Sequence, residues 1–285
     1  MIYVVNYADA KFANNRSYCS NTAISIGKAD KVLEYSPEDI PASYRDAHKE
    51  IFAYERGNGL WLWKPYIILD ALNKINDDDY LMYIDSGAFF VDRIQKLIEV
   101  MNEYQQDLLT FELPLLQRQF TKKETFKIME INRYDTNQRL CSYIILRKTL
   151  FTLSFVNEWL SYMENESAVS FKHFDDSIDE FPDFYSHRED QSILTLLCLK
   201  YNLPSFRDPS QFGDRPWMYA SSNYSYNPKK YKNSTYPKIV VSNRKENPKK
   251  YRIKELIQTI GNKLGLYTQR YYFRKFDIHP LESSI

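Results

Sequence analysis

Along the first two hundred residues, short apolar runs alternate with segments of helical spacing. Ile2–Tyr7 is a strand-type run, and residues 14–26 carry the spacing of a helix that ends at Gly27. Lys31–Tyr35 predicts a second strand, closed by the turn Ser36-Pro37-Glu38-Asp39. Ile67, Ile68, Leu69 and Leu72 recur at helical spacing behind Pro65, which suits an early helical turn. Tyr80–Ile84 predicts a buried strand, followed by a helix near 94–104 and strands at 108–111 and 141–146. A helix over 149–163 comes next. This alternation predicts an α/β fold: a mainly parallel sheet with helices on both faces. In such sheets ligands bind beyond the carboxyl ends of the strands.

Candidate chemistry gathers at those ends. The run Tyr80–Ile84 leads straight into Asp85-Ser86-Gly87. A buried strand fixes the carboxylate, and a glycine lets backbone and ligand approach closely, as a sugar-nucleotide site requires. A nucleotide diphosphate needs its charge neutralised, commonly by Mg²⁺ or Mn²⁺ held on two carboxylates one residue apart. Here Asp85 supplies the first and Gly87 stands in the second position, so half of the pattern is present. Upstream, Arg56-Gly57-Asn58-Gly59-Leu60-Trp61-Leu62-Trp63-Lys64-Pro65-Tyr66 combines two glycines, two tryptophans and two cations. Arg56 and Lys64 are candidates for phosphate, and Trp61 or Trp63 for stacking on a base or sugar. Downstream, His187-Arg188-Glu189-Asp190-Gln191-Ser192 opens an apolar helix, at the end that favours anionic ligands. A looser set, Gln117-Arg118-Gln119, Lys122, Arg133 and Gln138-Arg139, reads as solvated loop.

Composition narrows the class. The 285 residues are 26% charged, with a mean hydropathy of −0.55 and no apolar run near the ~20 residues that span a bilayer. The start at Ile2 has no signal-peptide pattern, so a cytoplasmic protein is expected. Cys19, Cys141 and Cys198 are scattered without a CxxC pair, as free thiols in a reducing compartment would be. The net charge of +1 conceals a separation. Residues 229–275 hold 14 Lys/Arg against Glu246 and Glu255, a net of +12, and the remainder carries −11. Residues 221–247 read as linker. Beyond them Ile253, Leu256, Ile257, Ile260 and Leu264 mark a basic amphipathic helix with Gly261 as a weak point. Two domains are expected: a catalytic one over 1–220 and a basic extension over 221–285. The extension suits an anionic membrane surface.

The three ordered segments 56–66, 80–87 and 187–192 resemble bacterial glycosyltransferases of capsule and lipopolysaccharide gene clusters. The pattern of that family reads approximately RGxGYWLWKPY, YLDAG and HRHDQS, and the resemblance covers about residues 1–210. It implies the GT-A fold, a nucleotide-sugar donor (a UDP-sugar favoured), a glycan or lipid-linked acceptor, and Asp85 holding Mn²⁺ or Mg²⁺. Asn6, Tyr7 and Ala8 would then edge the nucleoside pocket. Arg56, Trp63, Lys64, Ser86, Gly87 and His187 would complete donor binding, and Asp190 and Gln191 would be the catalytic pair, orienting the sugar and stabilising positive charge that develops at the anomeric carbon. Departures are Leu60 for an aromatic, Ser86 for alanine and Glu189 for histidine. Asp190-Gln191 is similar to the Asp-Gln of retaining galactosyltransferase-like enzymes, which favours retention, whereas Glu189-Asp190 also fits the acidic pair of inverting ones. An inactive nucleotide-sugar-binding relative and a nucleic-acid binder working through 229–275 are the alternatives, the latter disfavoured by the negative remainder. A sugar-phosphate nucleotidyltransferase is disfavoured because residues 6–15 lack glycine.

Overall fold

The computed structural model describes residues 1–280; the last five residues of the expected extension lie outside the described residues. Six strands form the central sheet: β1 (Ile2–Tyr7), β2 (Lys31–Tyr35), β3 (Tyr80–Ile84), β5 (Leu108–Leu116), β6 (Asn137–Arg147) and β7 (Phe206–Arg207), in the order β2-β1-β3-β6-β5-β7. Five point the same way. β6 alone is reversed, pairing antiparallel with β3 and with β5. The sheet is therefore mainly parallel and flanked by helices, as the alternation predicts.

The strands read as continuous apolar runs because both sheet faces are covered. Successive side chains of a strand leave on opposite faces. Val5, Leu81 and Tyr83 accordingly enter one core cluster, and Val4, Met82 and Ile84 the other. The first cluster packs under α2 (Trp63–Asn73), α4 (Leu150–Met163) and α5 (Glu189–Lys200). The second packs under α1 (Ala13–Ser25) and α3 (Gln95–Glu103). Thr149 caps α4 by accepting from Thr152 N. β5 and β6 outrun their expected apolar segments because the ladder continues into polar residues, with Glu112 opposite Arg139 and Leu116 opposite Asn137.

Residues 221–247 are not the expected linker. Tyr236, Ile239 and Val240 are buried in the second cluster. β8 (Val240–Ser242) pairs antiparallel with β4 (Ala88–Phe90), Ala88 opposite Ser242, in a small second sheet. The extension begins only at α6 (Pro248–Lys263), whose cap Asn247 accepts from the amides of Lys249 and Lys250, and continues into α7 (Gln269–Phe276).

α6 docks on the domain by an unexpected face. Tyr251, Glu255 and Gly261 turn inward, and buried Glu255 pairs with Arg215 at 2.5 Å and Lys238 at 2.7 Å. Gly261 has a packing role: the ring of Tyr267 lies 2.3 Å from where a Cβ would stand, so a side chain there would have to displace that ring. Ile253, Leu256, Ile257 and Ile260 face outward, each at least 50% exposed. Among the described residues no helix is long and apolar enough to cross a membrane.

Candidate functional site

A cleft of about 690 Å³ opens at the carboxyl ends of β1 and β3. Tyr7, Ala8 and Asp9 follow β1 into it; Tyr83, Asp85, Ser86 and Gly87 follow β3; Leu140, Ser142 and Tyr143 of the reversed strand form its floor. Its position agrees with the rule for open α/β sheets.

The aromatic wall comes from the glycine loop. Gly57, Asn58, Gly59, Leu60 and Trp61 all have positive φ, between 52° and 89°, so the chain makes a left-handed turn before α2. For the three non-glycine residues this conformation costs on the order of 1–2 kcal/mol each. Surrounding contacts hold it. The Trp63 indole N–H donates to Gly57 O at 2.8 Å, and Trp63 stacks on Tyr7 with centroids 3.8 Å apart and planes at 16°. Beside the turn, Arg56 forks onto Glu189, Nε to Oε1 at 2.5 Å and the terminal nitrogen to Oε2 at 3.2 Å. Glu189, the first residue of α5, has φ +29° and is buried, which pushes its carboxyl upward while Arg56 works against that shift.

A polar chain lies behind the cleft. The Lys64 side chain is 3% exposed; its ammonium donates to Asp190 Oδ2 at 2.5 Å and to Cys141 O at 3.2 Å, and stands 3.7 Å from Asp85 Oδ1. Burial alone would lower its pKa, but Asp190 and Asp85 overcome that and hold it above the ordinary lysine range. Asp85 Oδ1 also accepts from the Tyr83 hydroxyl at 2.6 Å. Gln191 reaches the cleft wall, its amide Nε2 donating to Gln138 Oε1.

The opposite rim carries residues that sequence reasoning missed: Arg188, Asp208, Tyr219, Arg244 and Lys245, with Lys11 at the edge. Arg188 follows His187 within the segment 187–192, so the motif contains it, although nothing local distinguishes it from its neighbours as a cleft residue. For Arg244 and Lys245 a signal existed in Ile239-Val240-Val241, an apolar run that marks a strand ending just before them. Asp208 is buried beside Tyr219, accepts from Ser210 N at 2.7 Å, and is pushed up to about 6 by burial.

Of the residues expected here, Tyr7, Ala8, Trp63, Asp85, Ser86, Gly87 and Gln191 do line the cleft. Others do not. Asn6 points into the core, its amide donating to Ser20 Oγ at 3.0 Å, because alternate strand positions face opposite ways. His187 precedes the helix, which begins only at Glu189. It is buried, accepts from Lys122 N at 3.3 Å through Nδ1, and is held neutral by burial, with a pKa near 3. Arg56, Lys64 and Asp190 are committed to ion pairs in the wall. The Gln138–Arg139 segment is strand and not loop: Arg139 donates to the carbonyls of Leu203 and Pro204.

A divalent cation at Asp85 would need several oxygen ligands. Among the described residues no group of three or more His, Cys, Asp or Glu side chains could hold one. Asp85 offers a single carboxylate, already bonded to Tyr83 and adjacent to the Lys64 ammonium. Side chains alone therefore supply no three-ligand cage here, and a cation at Asp85 would take most of its oxygens from the donor and from water.

No protein-family model matches the chain, and no curated protein sequence does. Among solved structures, mouse xyloside xylosyltransferase 1 aligns over 85% of this chain and 97% of its own, with TM-score 0.45 and 8% identity. Galactosyltransferase LgtC, solved with donor and acceptor sugar analogues, aligns over 84% and 86%, with TM-score 0.40 and 13% identity. The bifunctional glycosyltransferase WbbM aligns over 69% of this chain and 37% of its own, with TM-score 0.39 and 11% identity. At TM-scores below 0.5 these likenesses carry no argument about chemistry, which rests on the cleft itself.

Proposed function

We propose that this chain is a GT-A glycosyltransferase that moves a hexose from a nucleotide diphosphate donor, a UDP-sugar foremost, to a glycan or lipid-linked acceptor of a bacterial surface polysaccharide, with retention. One observation carries the reading. A single cleft at the strand ends joins a planar aromatic wall, Trp63 on Tyr7, to a polar floor at Asp85 and an amide, Gln191, held in place by Gln138. A flat wall suits a base or sugar ring. A fixed amide dipole suits the positive charge that develops at an anomeric carbon as the nucleotide leaves. Because Gln138 takes the Nε2 donor, the carbonyl oxygen is the end of the Gln191 amide left to face that charge. Asp190 serves as a positioning residue, acting through Lys64 on Asp85 and on the wall that carries Trp63.

The test is donor turnover. The purified protein, screened against UDP-, GDP-, dTDP- and CMP-sugars, should release one nucleotide and transfer its sugar, and Gln191→Ala should lower the rate about 100-fold with donor affinity kept. A folded protein that neither binds nor turns over any nucleotide sugar would overturn the reading. An inverted anomeric configuration in the product would overturn retention alone.

The second part of the proposal is docking on an anionic membrane through α6 and α7. The outward row Ile253, Leu256, Ile257 and Ile260 is flanked by Lys249, Lys250 and Lys263, an arrangement that binds the interface by apolar burial and by attraction to anionic headgroups. Co-sedimentation with phosphatidylglycerol-containing vesicles should exceed that with phosphatidylcholine, and Ile257→Glu should abolish it. Equal binding to both would remove the electrostatic half of this reading.

A further inference from the structure

We propose that the donor's diphosphate is held in this cleft by side-chain cations, Arg188 with Arg244 and Lys245, in place of a divalent metal ion. The proposal rests on the nucleotide-sugar reading above and specifies how that ligand is bound.

The positions of the charges argue for it. Arg56 and Lys64 are neutralised by Glu189 and Asp190. Arg188, Arg244 and Lys245 line the same cleft, and among the described residues none has a carboxylate within ion-pair distance. Arg188 is half-buried, its guanidinium 4.3 Å from the Phe120 ring centroid, and burial pushes its pKa down. A desolvated guanidinium without an acid is costly, and an anion in the cleft would complete it. The phenol of Tyr219 sits in the field of both arginines and of Asp208. Guanidinium groups also match phosphate oxygens in a planar fork, so they are suited to this ligand.

Steric exclusion at Gly87 points the same way. Gly87 occupies the position where a two-carboxylate metal motif would carry its second acid. A Cβ there would meet Arg244 O at 2.8 Å and Arg244 Cα at 3.1 Å. The amides of Asn243 and Arg244 donate to Gly87 O at 2.9 and 2.8 Å, and Asn15 Nδ2 donates to Arg244 O at 3.1 Å. The pairing of β8 with β4 delivers this segment. The space of the missing carboxylate is thus taken by backbone of the residue that brings a cation. A glycine at this position thus admits the backbone that carries Arg244 into the cleft.

Titration calorimetry with UDP and with inorganic pyrophosphate, each in EDTA and in Mn²⁺, tests this on the full chain, beside Arg188→Gln, Arg244→Gln and Asp85→Asn. Both ligands should bind in EDTA, and each arginine variant should weaken them about 10-fold or more. Arg244 is exposed, so its variant reads binding even where Arg188→Gln perturbs the fold. Binding lost in EDTA, restored by Mn²⁺ and abolished by Asp85→Asn would overturn the proposal, as would affinities that neither arginine variant changes. Pyrophosphate held metal-free by these arginines, with every nucleotide sugar refused, would support the cradle and overturn the glycosyltransferase reading. Refusal of both ligands would overturn the cradle, and refusal of every nucleotide sugar as well would overturn both.

Discussion

Two sets of cations surround one cleft and face opposite fates. Arg56 and Lys64 arrive from the glycine loop and are bound by Glu189 and Asp190, neighbours at the start of α5. Arg188, Arg244 and Lys245 arrive from the segment before α5 and from the loop after β8, and among the described residues none has a carboxylate within ion-pair distance. The first set is architecture: its charges cancel inside the wall, where an unpaired ion would be expensive. The second set keeps its charge for a ligand. A basic residue near a site is a phosphate contact only when the fold leaves it unneutralised.

Removing one member from each set separates them most sharply. Lys64→Met leaves Asp190, whose side chain is 8% exposed, without its partner and should cost about 3–5 kcal/mol in urea unfolding. Arg244→Gln should stay within about 0.5 kcal/mol of the native stability while losing anion affinity. Equal stability losses would erase the distinction. Gly87→Ala probes the junction between the sets. By forcing Arg244 backbone off its seat it should destabilise by about 1–3 kcal/mol and also weaken pyrophosphate binding; a loss of stability with full affinity would uncouple Gly87 from the cations. Arg56→Gln should cost less than Lys64→Met, about 1–2 kcal/mol, because the Arg56 side chain is 55% exposed and water reaches its site, although Glu189 is left buried. Circular dichroism melts rank the two.

The smallest effect is a pH dependence on the free side. Asp208 titrates near 6 in the folded protein against an ordinary value of 3.8. The folded state therefore holds this proton more tightly, and the stability it lends at low pH is lost as pH rises from about 4 to about 6. Deprotonation also adds a negative charge beside the cations, so affinity for a nucleotide sugar, whose diphosphate diester does not titrate here, should fall a few-fold between pH 5 and pH 7. Asp208→Asn should flatten that profile; an unchanged slope would assign it to another group.

Much of this was legible in the chain. β1, β2 and β3 run over the residues their apolar patterns mark, and the acid and glycine after β3 do reach the cleft. Burial on both sheet faces demands a continuous apolar run, and that demand is local, so it can be read locally. The small sheet β4–β8 was hidden because three-residue strands acquire meaning only when paired, and 152 positions separate Ala88 from Val240. The segment around Arg244 therefore read as linker. His187 misled for a related reason: its place in a motif said nothing about burial. The outward apolar face of α6 is equally invisible in its spacing, because periodicity identifies a face but not the surface it meets.

By itself the sequence determined most strands of the central sheet and their flanking helices, that the sheet is mainly parallel, and that an aspartate ends the strand at the ligand-binding edge. Each depends on near neighbours, through side-chain alternation, helical spacing and turn chemistry. Only the tertiary structure decided which cations are spent on ion pairs and which remain free, and what occupies the space beside Gly87. Charge neutralisation and steric exclusion act across a few ångströms of space, and the groups concerned lie more than a hundred residues apart along the chain.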